Sequence, residues 1–166
     1  TNKTAGKYLD ILAGTFMVRI LQPWFENIKK RQVKTPKIYF RDSGIFNALS
    51  SIHSIQELAR TPKIGQLWEG FALEQVITCF QIPSEDCYFW STSNEAELDL
   101  LFFKDGKRIG FEFKYSDSPK ITKSMVIALQ DLKLDHLYII FPGALSFAMR
   151  EDITACGFDA LREIKI

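Results

Sequence analysis

Four charged side chains that could act together in one site lie on two consecutive predicted strands. Glu97 and Asp99 belong to the first strand, Glu112 and Lys114 to the second, and a turn at residues 104–107 joins them. Because side chains alternate between the faces of a strand, the members of each pair share a face. Carboxylate oxygens bind Mg²⁺, and a neighbouring ammonium can position water or neutralise developing charge. This combination is suited to phosphodiester hydrolysis.

The same pattern has a simpler interpretation. The neighbouring apolar residues Leu98, Leu100, Phe111 and Phe113 are predicted to point to the opposite face. Such alternation is typical of any antiparallel strand with one face in water. Spacing alone favours a solvated face over a metal site, so the elements around these strands must decide.

A helix predicted over residues 66–80 precedes the strands. At about 100° per residue, Glu69 falls near the centre of its apolar arc and Glu74 falls outside it. Burying an unpaired carboxylate is costly, so Glu69 needs a partner, and Lys114 is the candidate. Glu69 is therefore either a third acid of the site or half of a buried ion pair.

The predicted elements follow a fixed order from this helix onward. They are a helix with Glu69, a strand ending near Trp90, the two charged strands, a helix from Lys123 to Leu132, and a strand from Leu137 to Phe141. This order resembles the αβββαβ core of the PD-(D/E)XK, or restriction-endonuclease-like, nuclease superfamily. The chain more closely resembles a C-terminal domain of unknown function that follows an AAA-type ATPase module in many bacterial and archaeal proteins. The stretches that carry the resemblance are Lys34–Gly44, Gly65–Gly70, Phe89-Trp90, Glu97–Asp99 and Glu112–Lys114.

The resemblance implies an α/β fold with a mixed central sheet and a role for each charged residue. Asp99 and Glu112 are the implied metal ligands for Mg²⁺ or Mn²⁺, Lys114 the catalytic lysine, and Glu69 the helix carboxylate. DNA or RNA is the implied substrate or ligand. The upstream ATPase module is the implied partner, and we expect ATPase activity only from that module.

The chain is predicted to have two parts. Residues 61–166 form the nuclease-like core, and residues 1–60 form a partial winged-helix-like annex with a joining helix at Ile45–Ser50. In the annex we predict a helix from Thr4 to Leu12 and strands at Phe16–Leu21 and Lys37–Phe40. After the core, the tail from residue 145 is expected to add an edge strand and a terminal helix.

The densest positive charge lies in the annex. Aromatic residues Trp24 and Tyr39 are interleaved with these cations, an arrangement suited to contact with a nucleic-acid backbone. A solvated hairpin whose lysines protect a sheet edge is an equal alternative. The predicted nucleic-acid-binding residues are Lys29, Lys30, Arg31, Lys34 and Lys37.

Composition limits the remaining classes. The net charge of +1 means that nucleic-acid affinity must come from a local patch. Three widely spaced cysteines indicate neither a zinc site nor a disulfide framework, so we expect a cytoplasmic protein. We find no bilayer-spanning run and no phosphate-binding loop of the Gly-x-x-x-x-Gly-Lys-Ser/Thr type, so neither a membrane partner nor a nucleotide site is expected here. Because the chain begins at Thr1, we expect it to be part of a longer protein.

Three functions of different classes are consistent with the sequence. The first is a metal-dependent nuclease that uses Asp99, Glu112 and Lys114. The second is a nucleic-acid-binding module with a degenerate site. The third is a protein-interaction or structural domain that keeps the acids and lysine as an ion-pair network. The sequence predicts no oligomeric state.

Overall fold

The computed structural model describes residues 2–93 and 96–166. These residues form an α/β fold in which eight strands make one mixed sheet, in the order β2-β1-β3-β4-β5-β6-β8-β7. Two short 3₁₀ helices, Ser84–Asp86 and Phe158–Glu163, complete the described structure. The other elements are α1 (Asn2–Gly14), β1 (Val18–Pro23), β2 (Lys37–Phe40), α2 (Ser43–Leu49), α3 (Ile55–Arg60), α4 (Ile64–Phe80), β3 (Tyr88–Ser91), β4 (Glu97–Lys104), β5 (Lys107–Phe113), α5 (Lys123–Asp131), β6 (His136–Phe141), β7 (Ser146–Arg150) and β8 (Ile153–Gly157).

The annex and the core share this sheet. β1 pairs antiparallel with β2 and parallel with β3, so the first two strands extend the core rather than form a separate layer. β2 has the predicted bounds, whereas β1 begins at Val18 and not at Phe16. Phe16 has a positive φ of 60°, which an extended strand does not adopt, so the strand begins after that residue. α2 begins at Ser43, after the N-cap Asp42, and so starts two residues before the predicted Ile45, whereas α3 was not anticipated.

The core follows the predicted order of helix, three strands, helix and strand. β3, β4 and β5 form an antiparallel meander, and α5 connects β5 to the parallel strand β6. The β4–β5 turn has Asp105 and Gly106 at positive φ, 51° and 78°, the combination that suits a two-residue hairpin. The tail has the expected edge strand, β7, and a terminal 3₁₀ helix. It also contains an unpredicted strand, β8, between β6 and β7.

Helices cover both faces of the sheet. One apolar cluster joins α4 and the terminal 3₁₀ helix to the sheet, through residues such as Leu73 and Phe111. A second cluster joins α5 to the opposite face, through Met125 and Leu137. Among the described residues, no helix has the length and apolar character needed to span a bilayer.

A β-bulge changes the expected alternation in β4. Tyr88 pairs with Leu101 and Trp90 with Leu98, so three residue steps on β4 lie opposite two on β3. Leu98 consequently packs in the α5 cluster, while Leu100 packs in the α4 cluster. The prediction that these two leucines share a face was therefore wrong. An extra residue reverses the face of every later side chain, and Asp99 lies at this irregularity.

Candidate acidic site

Two buried carboxylates lie where β4 and β5 run side by side. Asp99 is 6% exposed and Glu112 is 4% exposed. The β4–β5 pairing, with Leu100 opposite Phe111, positions both acids at the same level of the sheet. One carboxylate oxygen of Asp99 accepts a hydrogen bond of 3.0 Å from the backbone N–H of Phe113. The bulge thus aims Asp99 at the end of β5, where Glu112 also lies.

Lys114 follows directly after β5 and contacts this pair. Its Nζ lies 2.8 Å from a carboxylate oxygen of Glu112, and its backbone N–H donates to the carbonyl oxygen of Ile140 on β6. The lysine side chain is 39% exposed, so its ammonium lies at the mouth of the site. The structure therefore brings Asp99, Glu112 and Lys114 together as the strand pattern predicted.

Glu69 is held by a different partner from the one expected. Its carboxylate accepts a 2.6 Å hydrogen bond from the hydroxyl of Tyr39 and lies 3.2 Å from Nζ of Lys37. The side chain is 24% exposed, so Glu69 does not point into the core, and no ion pair with Lys114 is present among the described residues. Gly70 allows this contact, since a Cβ there would lie 3.3 Å from the Tyr39 ring.

The buried acid of α4 is Glu74, which was predicted to lie outside the apolar arc. It forms a two-pronged ion pair with Arg19 of β1, including Nη2–Oε2 at 3.0 Å, and Arg41 lies 3.5 Å away. Arg19 also donates to the Ser84 hydroxyl. The helical wheel failed here because α4 carries apolar residues around most of its surface, which leaves no single face to identify. An arginine within the apolar run of β1 was the sequence signal for this pair.

Lys37 of β2 joins the acids of the core. Its Nζ lies 3.2 Å from Glu69 and 3.6 Å from Asp99, and it also pairs with Glu97. The ammonium lies 5.4 Å from the centre of the Phe89 ring. Sequence reasoning assigned Lys37 to a nucleic-acid-binding surface, whereas the structure directs it into the acidic site.

The electrostatics of the site reflect burial. Burial raises the pKa of Asp99, and Glu69 adds to this effect, while Lys37 opposes it. Burial likewise raises the pKa of Glu112, with a further contribution from Asp99 and an opposing one from Lys114. For Lys37, burial lowers the pKa, but the surrounding acidic side chains outweigh burial and the pKa lies above its ordinary value.

The other predicted basic residues lie near the surface. Lys29, Arg31 and Lys34 are exposed. Lys30 is also exposed, and its Nζ lies 2.9 Å from a carboxylate oxygen of Asp131 in the core. These four of the five predicted cations thus lie at the surface of the connection between β1 and β2.

The donor set suits a hard divalent ion. Mg²⁺ is commonly held by one or two carboxylates, with waters and substrate phosphates completing its shell, and Asp99 and Glu112 supply such a pair. Within residues 2–93 and 96–166, no three His, Cys, Asp or Glu side chains are close enough to hold a metal by themselves. A cavity of about 530 Å³ is lined in part by Lys37, Tyr39, Glu69 and Glu97, and Lys37 connects it to Asp99.

Comparisons with known proteins match the chain to two domain families and to longer relatives. Residues 1–56 match a domain of unknown function, DUF8612, and residues 64–161 match a second, DUF4143. Uncharacterized proteins of Mycobacterium tuberculosis, Rv2008c, and Mycobacterium bovis, Mb2031c, are each 42% identical over 158 residues, 95% of this chain and 35% of theirs. The chain thus spans about a third of the length of these curated relatives. No solved structure matches it. Because the second match covers more than half of the chain, the chain belongs to the DUF4143 family.

Proposed function

We propose that the chain is a nuclease-like, nucleic-acid-interacting domain whose acidic site supports Mg²⁺- or Mn²⁺-dependent phosphodiester hydrolysis. The observation that carries this proposal is the burial of Asp99 and Glu112 on neighbouring strands beside the Lys114 ammonium. Burial of carboxylates is costly unless cations compensate them. Two buried carboxylates beside a partly exposed ammonium are an arrangement that is common at functional sites.

Each residue has a distinct role in this proposal. Asp99 and Glu112 would hold the ion through their carboxylate oxygens. When bound, the ion supplies Lewis-acid polarisation of the phosphodiester and a more acidic bound water. Lys114 can donate a hydrogen bond to a phosphate oxygen at the mouth of the site. Glu69, on the cavity wall, can accept a hydrogen bond from the attacking water.

The fold supports the same proposal. The order α4, β3, β4, β5, α5, β6 follows the αβββαβ order of restriction-endonuclease-like cores, with the two acids on the second and third strands. We include in the proposal that the domain acts in a longer protein with an upstream AAA-type ATPase module. The support for this is the sequence resemblance and the greater length of the mycobacterial relatives.

A second candidate function rests on the ion pairs of the site. Lys37 and Lys114 already pair with the site's carboxylates, which is the arrangement of a structural ion-pair network. In that case the domain would serve as a catalytically inactive protein-interaction or structural unit. This alternative predicts that removing an acid destabilises the fold and that no cleavage occurs.

A cleavage assay tests the proposed activity. Supercoiled plasmid, single-stranded DNA and RNA are incubated with the protein in Mg²⁺ or Mn²⁺ and in EDTA. We expect metal-dependent cleavage that is lost in Asp99→Asn and in Lys114→Met. The matched control is Asp117→Asn, an exposed acid in the loop after the site. Cleavage that survives the Asp99 and Lys114 substitutions, or its absence from the wild type on all three substrates, contradicts the proposal.

Nucleic-acid contact is tested separately through the dependence of binding on salt. The triple variant Lys29→Ala, Arg31→Ala, Lys34→Ala removes three exposed cations from the β1–β2 connection. On duplex DNA, we expect the slope of log affinity against log salt to fall by about 0.9 for each phosphate that the variant no longer neutralises. An unchanged slope, measured by fluorescence anisotropy at several salt concentrations, would reject this surface as the one that binds DNA.

A further inference from the structure

The cavity of about 530 Å³ has an apolar wall as well as a charged one. The apolar wall comes from β2, α2 and α4, through Phe40, Phe46, Leu67 and Phe71. The Phe40 and Phe46 rings contact each other edge to face, with their centroids 5.7 Å apart. Phe40 is nevertheless 37% exposed, so this pair of rings does not close the surface. Aromatic rings that line an open cavity can stack on a planar ligand.

The cavity lies beside the acidic site and continues away from it. Lys37 lines the cavity, and its Nζ lies 3.6 Å from a carboxylate oxygen of Asp99. Leu67 and Phe71 line both this cavity and a second one of about 350 Å³, which is formed by side chains of α2, α3 and α4. The two cavities therefore form one groove that leads away from the acids, a shape that suits an extended polymer.

The charges on the cavity wall indicate which part of a nucleic acid would enter. The carboxylates of Glu69 and Glu97 both pair with Lys37, and a phosphate inside the cavity would meet these two acids. Lys63, the N-cap residue of α4, is exposed and also lines the cavity. Its ammonium can contact a phosphate that stays at the rim. The arrangement favours an uncharged base inside the cavity and the charged backbone outside it.

We infer that this cavity receives an unpaired base of a single-stranded nucleic acid, with Phe46 stacking on the base and Lys63 contacting the adjacent phosphate. The inference rests on the proposed function for its ligand class, a nucleic acid, and adds that the bound strand is unpaired at this position. A base within a duplex would have to leave its stack before it could enter the cavity. Because every base has a π face, we expect stacking to tolerate different sequences.

Binding of strands with and without bases is the direct test. Oligo(dA) and an abasic strand of the same length are compared by fluorescence anisotropy in EDTA, which prevents metal-dependent cleavage. We expect Phe46→Ala to weaken binding of oligo(dA) by about five- to 150-fold, the contribution of one stacked base, and to leave binding of the abasic strand unchanged. The control Phe147→Ala removes an aromatic side chain that is 45% exposed on β7 and should match the wild type. An equal effect of Phe46→Ala on the two strands, or no effect on either, overturns the inference.

Two further variants separate the roles of the ring and the ammonium. Phe46→Leu keeps an apolar side chain but loses the ring, so we expect it to weaken binding of oligo(dA) and not of the abasic strand. Lys63→Met should make the slope of log affinity against log salt shallower by about 0.7, the value for one phosphate of a single strand. Wild-type binding of oligo(dA) by Phe46→Leu, or an unchanged slope in Lys63→Met, also overturns the inference. If binding depends on the base but no strand is cleaved with metal, the proposed hydrolysis fails and this inference stands.

Discussion

Replacing Glu112 by glutamine should stabilise the domain at neutral pH. Burial raises the pKa of Glu112 from 4.5 to about 8. At pH 7 the unfolded carboxyl has lost its proton and the folded one retains it, which costs on the order of 3 kcal/mol at 1.36 kcal/mol per pKa unit. Glutamine resembles the protonated carboxyl and would remove this cost, and its amide oxygen can accept a hydrogen bond from the Lys114 ammonium.

The expected gain is therefore up to about 3 kcal/mol in the free energy of unfolding. For a chain of this length, that corresponds to a rise of up to roughly 6–12 °C in Tm. The sign of the pH dependence follows from the raised pKa. The contribution of Glu112 to stability is greatest below the unfolded pKa of 4.5 and falls as the pH rises toward the folded pKa of about 8. The Glu112→Gln variant should lack this decline.

Urea unfolding at pH 5, 7 and 8.5 in EDTA measures both effects. The matched control is Glu85→Gln, which changes an exposed acid in the same way and should follow the wild type at each pH. A Glu112→Gln variant that is less stable than the wild type at pH 7, with a parallel pH profile, would refute the reasoning. That result would instead favour the structural ion-pair network as the role of the acids.

Two further predictions concern the packing that positions the site. Glu74→Ala should lower the free energy of unfolding by about 3–5 kcal/mol because it leaves Arg19 buried without its carboxylate. The double variant Arg19→Met, Glu74→Leu should regain most of that loss because it removes both charges. A double variant as unstable as Glu74→Ala in urea unfolding would contradict this. Gly110→Ala should lower the free energy of unfolding by about 1–3 kcal/mol because the added Cβ would lie 2.7 Å from Leu134 and 3.2 Å from Leu98. An unchanged Tm would contradict this and would show that the cluster around α5 can repack.

Local patterns were sufficient to predict most elements of the core. The apolar run at residues 137–141 predicted a strand after a helix, and β6 forms there, following α5 and running parallel to β5. The Asp-Gly pair at residues 105–106 predicted the turn between β4 and β5, and both residues have the positive φ that this turn requires. Such features depend on residues close together in sequence, so pattern and turn chemistry reveal them.

Features that depend on distant partners were not predicted. Glu74 is buried because Arg19, 55 residues earlier, compensates its charge, and no periodicity within α4 contains that information. The bulge in β4 depends on how β3 pairs with it, so an alternating pattern could not reveal the separate faces of Leu98 and Leu100. Glu69 was assigned to Lys114 because both were near in the predicted core, whereas its partner Lys37 comes from a strand that was predicted to belong to another unit.

The annex and the core are therefore expected to depend on each other. β1 contributes Arg19 to the buried Glu74 of the core, and β2 contributes Lys37 and Tyr39 to Glu69. Removing residues 1–60 would expose an edge of β3 and leave these two acids of α4 without their partners. The loss of a buried partner alone costs several kcal/mol, a large part of the stability of a typical domain. The acidic site is thus built at the junction of the two matched families, and its cation balance requires both.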